Sequence, residues 1–223
     1  MTEKTLVLAG ATGLVGAAAL EAALAGGWRV AALVRAGRQL QARQNLETLS
    51  CDFDALDALA PRLSALAPAA FVCALGTTIR TAGSQAAFAR VDRDYVASFA
   101  ALGVSCGATG FALVSSVGAD AGSSNFYLRT KGEAEQAIRA AGFAHVEIFR
   151  PSFLMGERAE HRLGERLAIP VARVLSPLLA GPLSIYRPIP AGTVGRALIA
   201  GVSRDEAGVF VRHYDEIARL ASA

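Results

Sequence analysis

Runs of five to seven apolar residues alternate along the chain with longer stretches whose apolar positions recur at helical spacing. Thr5–Ala9 reads as a buried strand, and Leu14–Ala25 as an alanine-rich helix that stops at Gly26-Gly27. Trp28–Val34 and Leu46–Cys51 predict two more strands, and Asp54–Leu66 a helix. Ala69–Leu75 is another buried strand. A helix over Ser84–Leu102 follows, with Phe88, Val91, Tyr95, Val96 and Phe99 as its apolar positions. Phe111–Ser115 and His145–Phe149 flank a helix over Asn125–Ala141, which serines can cap and Gly142 closes. Short strands that are apolar on both faces, each leading into a helix, predict a doubly wound parallel α/β sheet.

The pattern changes after Pro151. Six of the eight prolines lie in residues 151–223, and Gly208–His213 reads as a late strand before a short terminal helix. One domain over 1–223 is expected, with a core over 1–150 and a small C-terminal lobe over 151–223 on the substrate side.

Composition narrows the class. The chain has 223 residues, 53% apolar and 18% charged, enough to bury one substantial core. The net charge of +3 is spread without a block of like charges, so neither a nucleic-acid nor a membrane partner is expected. No run reaches the length of a membrane span, and Met-Thr-Glu-Lys leads straight into the first strand. A soluble, cytoplasmic protein without a signal peptide is the expectation. Cys51, Cys73 and Cys106 stand far apart and read as reduced, buried thiols. His145, His161 and His213 lack ligand spacing, so no metal is expected. Of 22 basic residues only Lys4 and Lys131 are lysine.

The first strand runs into Gly10-Ala11-Thr12-Gly13-Leu14-Val15-Gly16 and then a helix, the setting in which a glycine-rich turn presents backbone N–H groups to phosphate. Gly10 serves the turn, Gly13 the approach of a pyrophosphate, and Gly16 the packing of helix on sheet. Gly107-Ala108-Thr109-Gly110 repeats four of these letters before a strand, where no helix N-terminus is offered, and reads as a plain turn. Arg35 and Arg38 follow the second strand where an NAD site places an acid. Guanidinium groups there suit the 2′-phosphate of NADP(H), which is favoured over NAD(H). Asp52 and Phe53 after the third strand, and Leu75, Gly76 and Thr77 after the fourth, lie at carboxyl ends where open sheets bind ligands.

Tyr127 and Lys131 are one helical turn apart on one face. An ammonium near a phenol favours phenolate and so suits proton transfer. Ser115 and Ser116 end the preceding strand, and either hydroxyl could hold a carbonyl oxygen. Taken alone, the Tyr-Lys spacing could equally be a helix surface. Asp92 and Asp94 read first as packing or capping residues, and Glu160, His161 and Glu165 as a solvated helix face. Phe153, Met155 and Ser184–Pro188 are candidates for shaping a substrate pocket.

GATGLVG at 10–16, SS at 115–116 and YLRTK at 127–131 resemble an atypical or extended short-chain dehydrogenase/reductase. LGTTIRTAGSQAAFARVDRDYV at 75–96, SSVGADAGSSNFYLRTKGEAE at 115–135 and FRPSFLMGER at 149–158 resemble the HIV Tat-interactive protein family of that superfamily. The resemblance covers most of residues 5–165. It implies NADPH on a Rossmann fold, with Tyr127 as the proton donor or acceptor and Lys131 holding the nicotinamide ribose. It further implies Ser116 in the site by register, Pro151, Ser152, Phe153 and Leu154 lining the nicotinamide end, and Arg162 closing over the cofactor. The implied function is NADPH-dependent hydride transfer to or from a small carbonyl or alcohol, with an NADPH-binding regulatory or scaffold protein as the alternative. A sugar-nucleotide epimerase or dehydratase would need a larger C-terminal region. The resemblance also leaves room for a homodimer, although no apolar pattern marks an interface.

Overall fold

The computed structural model describes residues 4–155 and 181–222. Its elements begin with β1 (Thr5–Ala9), α1 (Leu14–Ala25), β2 (Arg29–Arg35), β3 (Leu46–Cys51), α2 (Ala60–Ser64) and β4 (Pro68–Cys73). They continue with α3 (Ile79–Ala82), α4 (Gln85–Ala89), a π-helical turn over Arg90–Asp94, α5 (Tyr95–Ser105), β5 (Gly110–Val114) and α6 (Phe126–Ala140). After β6 (His145–Phe149) come β7 (Leu154–Met155), β8 (Ile189–Pro190), α7 (Ala191–Val202), β9 (Gly208–Arg212) and α8 (Tyr214–Leu220).

Among the described residues, seven strands form one sheet in the order β3-β2-β1-β4-β5-β6-β9, and every pairing is parallel. Helical crossovers between strands allow the parallel pairing, and side-chain alternation divides each strand between two cores. Leu6 and Leu8 of β1 enter a core with α1 and α7, whereas Val7 and Ala9 enter one with α5 and α6. Helices therefore cover both faces, the doubly wound arrangement that the apolar strands predict. The order reverses between β1 and β4, and the crevice outside their carboxyl ends is the ligand position of such sheets.

Three stretches depart from the expected pattern. The helix expected over 54–66 breaks into a 3-10 turn (Leu56–Leu59) and the five-residue α2, with Pro61 at its start. The helix expected over 84–102 is interrupted by the π turn. Asn125, rather than a serine, caps α6 by accepting the Leu128 N–H at 3.2 Å.

The end of the chain is built into the core to an extent that its prolines did not announce. A Cβ on Gly195 of α7 would come 2.6 Å from the Ala18 Cβ of α1, so this glycine lets the two helices close on each other. β9 then extends the sheet beside β6. The described part of the region after Pro151 thus completes the layer over one sheet face. No helix among the described residues is long and apolar enough to cross a membrane.

Candidate active site

β1 delivers the chain to Gly10 at φ 90°, a left-handed conformation suited to glycine. A side chain there would also strike the backbone at the end of β4, since a Cβ would lie 2.5 Å from the Ala74 carbonyl oxygen. At Gly16 a Cβ would overlap the Gly10 carbonyl oxygen, which ties α1 to the turn. Gly13 begins α1 as its N-cap, and no side chain caps the first turn. The turn and helix end therefore offer backbone N–H groups without a competing side-chain acceptor. Ala11 and Val15 are buried, Leu14 is half-buried and Thr12 is exposed. Gly16→Ala is expected to lower the denaturation midpoint by the equivalent of about 1–3 kcal/mol, because backbone must move to admit the methyl. An unchanged midpoint in urea would refute this steric account.

A cleft of about 630 Å³ opens at the carboxyl ends of β2 and β3, lined by Arg35, Cys51, Asp52, Phe53, Thr77, Thr81, Arg90, Val91 and Tyr95 among others. Phe53 is buried with its ring 5.6 Å from that of Tyr95, which makes one wall aromatic. Asp52 is exposed, and its Oδ1 accepts the Asp54 N–H at 3.0 Å. Arg35 lines the cleft. Arg38 is exposed on the turn after it, its N–H bonded to the Arg35 carbonyl at 3.0 Å, and does not line the cleft. The cleft's second cation is Arg90, which donates from Nε to Asp54 Oδ1 at 2.9 Å. Burial, with the charge of Asp52, pushes the Cys51 thiol up to about 11, so this cysteine is no nucleophile at neutral pH.

The other end of the site is organised by one carboxylate. Asp92, 1% exposed on the π turn, lies 2.7 Å from Lys131 Nζ through Oδ1. Its Oδ2 accepts the Thr77 N–H at 2.9 Å. Burial opposes the Lys131 ammonium, but Asp92 and then Tyr127 outweigh it, so lysine stays charged above its ordinary 10.5. Leu75 is buried and Gly76 exposed. A Cβ at Gly76 would meet only Asp92 Oδ1 at 3.5 Å, so the protein's own packing does not require glycine there.

Tyr127 is half-buried, its ring 5.6 Å from that of buried Phe88. The two serines are separated by their partners. Ser115 is buried and donates to Glu135, which also accepts Arg150 Nε at 2.9 Å and Nη2 at 2.6 Å. Ser116 is half-buried and its Oγ lies 3.3 Å from the neighbouring Val117 carbonyl. A Cβ at Gly132 would overlap backbone atoms of Asp120 and Ala121, so α6 and the loop after Ser116 touch backbone to backbone.

Pro151 is buried and accepts the Val117 N–H through its carbonyl at 3.0 Å, which joins the segment after β6 to the loop after Ser116. Ser152 bonds the Tyr186 carbonyl at 3.0 Å, Phe153 is 59% exposed and Leu154 is half-buried. Arg162, with Glu160, His161 and Glu165, lies outside the described residues. Sequence reasoning ranked Asp92 as packing and missed Arg90, Glu135 and Gly132. Gly132 carried a signal, because a glycine inside a strong helix points to close approach. Asp92 and Glu135 carried none, since their partners are 39 and 15 positions away.

A family model described as NAD(P)H-binding matches residues 10–167. Rat HTATIP2 is 42% identical over 128 residues, 57% of this chain and 52% of that protein. Mitochondrial FMP52 of Candida albicans is 34% identical over 160 residues, 69% of each chain. Mitochondrial fmp52 of Emericella nidulans is 39% identical over 111 residues, 49% of this chain and 48% of that protein. The matches thus span about half to two thirds of these relatives' own length. The relatives named mitochondrial overturn the expected cytoplasmic location. Among solved structures, the Campylobacter jejuni UDP-Glc/GlcNAc 4-epimerase superposes with a TM-score of 0.73 at 15% identity, covering 97% of this chain and 82% of the other. Bordetella bronchiseptica WbmG, solved with NAD, gives 0.69 at 12% identity, covering 95% and 73%. At such identities the likeness speaks to the Rossmann-type fold.

Proposed function

The chain belongs to the NAD(P)H-binding family, and on that premise we propose that it is an NADPH-dependent oxidoreductase of the atypical short-chain dehydrogenase type. Its substrate is a small carbonyl or alcohol. The observation that carries this reading is the charged Lys131 buried one helical turn from Tyr127, where Asp92 joins it to Thr77 beyond the carboxyl end of β4.

The residues present fit the cofactor. The N–H groups along Gly10–Gly16 suit its pyrophosphate, and Asp52 and Phe53 suit its adenine end, with Leu75, Gly76 and Thr77 between them and the nicotinamide end. Pro151, Ser152, Phe153 and Leu154 would border that end. When bound, the cofactor supplies or takes up hydride. Tyr127 moves the proton at the substrate oxygen, Ser116 holds that oxygen, and Lys131 sustains the phenol's acidity and binds ribose hydroxyls. Ser115 is already committed to Glu135, which supports Ser116 for the role.

NADPH over NADH is supported by Arg35 in the cleft with no acid at the end of β2. Charge-assisted bonds of about 1.5–3 kcal/mol predict that Arg35→Ala weakens NADPH roughly 10–150-fold and leaves NADH unchanged in fluorescence titrations. Equal binding of both nucleotides to the unmutated protein would defeat the assignment. Turnover is tested by NADPH oxidation over a panel of aldehydes and ketones. Tight NADPH binding with no turnover across the panel would favour a nucleotide-binding regulatory protein instead.

A further inference from the structure

We infer that Asp92 is a positioning residue that clamps the cofactor-side end of β4 to the proton-transfer helix. One oxygen holds the Lys131 ammonium at 2.7 Å and the other the Thr77 N–H at 2.9 Å. The inference deepens the oxidoreductase reading and gives it a specific coupling. Anything that moves the Thr77 peptide is felt at the ammonium beside Tyr127.

The argument begins with burial. Asp92 and Lys131 have side chains 1% and 8% exposed, so neither charge has bulk water to stabilise it alone. Three titratable groups bear on the ammonium: Asp92 from the π turn, Tyr127 from its own helix α6, and Cys73 from the end of β4. Cys73 is fully buried and its thiol is pushed up to about 12, so it stays neutral. On the proposed reading Tyr127 donates or accepts a proton in the reaction. Asp92, 2.7 Å from Nζ, is the partner that holds Lys131 as an ammonium during a proton's transfer at Tyr127.

The π turn explains how the carboxylate reaches both partners. An i→i+5 turn inserts an extra residue into the helix and turns the following side chains relative to an α-helical register. Arg90–Asp94 does this between α4 and α5, and Asp92 in its middle faces inward while Arg93 and Asp94 remain substantially exposed. A packing role alone would be met by an apolar residue, which takes no desolvation penalty.

The chain's composition makes the test direct. With Lys4 and Lys131 as its only lysines, protein labelled with carbon-13 at lysine Cε gives two side-chain signals, and exposed Lys4 is the reference. Asp92→Asn keeps an acceptor for the Thr77 N–H but removes the charge. The Lys131 titration midpoint is expected to fall by about two pH units or more, as burial acts unopposed. An unchanged midpoint in folded Asp92→Asn protein overturns the inference. The unmutated protein supplies a second measurement that needs no variant to fold. Its Thr77 Cα and Cβ resonances, which exchange with water does not erase at high pH, should follow the Lys131 titration curve, and Thr77 carbons blind to that curve also overturn the clamp. Neither readout uses nucleotide or substrate. A shifted Lys131 midpoint in a protein that binds no NADPH would uphold the clamp while the oxidoreductase reading falls.

Discussion

Tyr127→Phe is expected to lower turnover on any substrate found by about 10²–10⁴-fold while NADPH affinity stays nearly unchanged. The phenol oxygen is the only part removed. The ring keeps its contact with Phe88, whose centroid lies 5.6 Å away, so the aromatic packing at the start of α6 survives. Lys131 retains its ion pair with Asp92, and the cleft lined by Arg35 is untouched. Loss confined to kcat would mark a group that acts at the reacting atoms, because an interaction made only in the transition state lowers kcat and kcat/KM equally. Full turnover by the phenylalanine variant would remove Tyr127 from the chemistry. Ser116→Ala provides a graded companion under the same assay: on the proposed reading it deletes the hydroxyl that holds the substrate oxygen and leaves Tyr127 in place.

Lys131→Met should destabilise the fold strongly. It leaves the Asp92 carboxylate, 1% exposed, without its counter-charge. Breaking a buried pair by deleting one partner typically costs about 3–5 kcal/mol. For a chain of this size each kcal/mol corresponds to roughly 2–4 °C, so the melting temperature should fall by roughly 6–20 °C. The pH dependence has a definite sign. The folded-state value of Lys131 is raised above 10.5, so the pair's contribution is complete below about pH 10.5 and is lost as pH rises through the raised value. Calorimetry from pH 7 upward should therefore show a constant gap between the two proteins that narrows only under strongly alkaline conditions. A variant that melts with the unmutated protein at neutral pH would show that Asp92 needs no ammonium. Lys131→Arg tests shape rather than charge, because a planar guanidinium replaces a compact ammonium poorly in a space 8% exposed.

Much of the scaffold was legible because its signals are local. β1, α1, β3 and β6 have the bounds that apolar runs and glycine stops predict. The glycine turn was readable for the same reason, since its function depends on one strand, one turn and one helix adjacent in sequence. Its copy at Gly107–Gly110 shows how context outranks letters: Gly107 takes φ 78° in a turn before β5, with no helix following. The Tyr127–Lys131 spacing is a local relation as well, and one helix, α6, carries both residues.

The proline-rich end illustrates the limit of such signals. Prolines suggested short, appended segments, yet α7 docks on α1 because Gly195 meets Ala18 across more than 170 positions of chain. Asp92 shows the same limit at the site. In sequence it is one of two acids in a helix. Its neighbours Lys131 and Thr77 are fixed only when β4, the π turn and α6 are packed together.

The sequence by itself determined the alternation of strand and helix, the phosphate-type turn, the arginine in place of an acid after β2, and the Tyr-Lys spacing. Each is a relation between residues within a few turns of chain, which backbone geometry converts directly into position. Only the tertiary structure decided that Ser115 belongs to Glu135, that Arg90 rather than Arg38 shares the cleft with Arg35, and that Asp92 holds Lys131. Those pairings join segments distant in sequence, and a buried charge takes as its partner whatever the packed layers bring within about 3 Å of it.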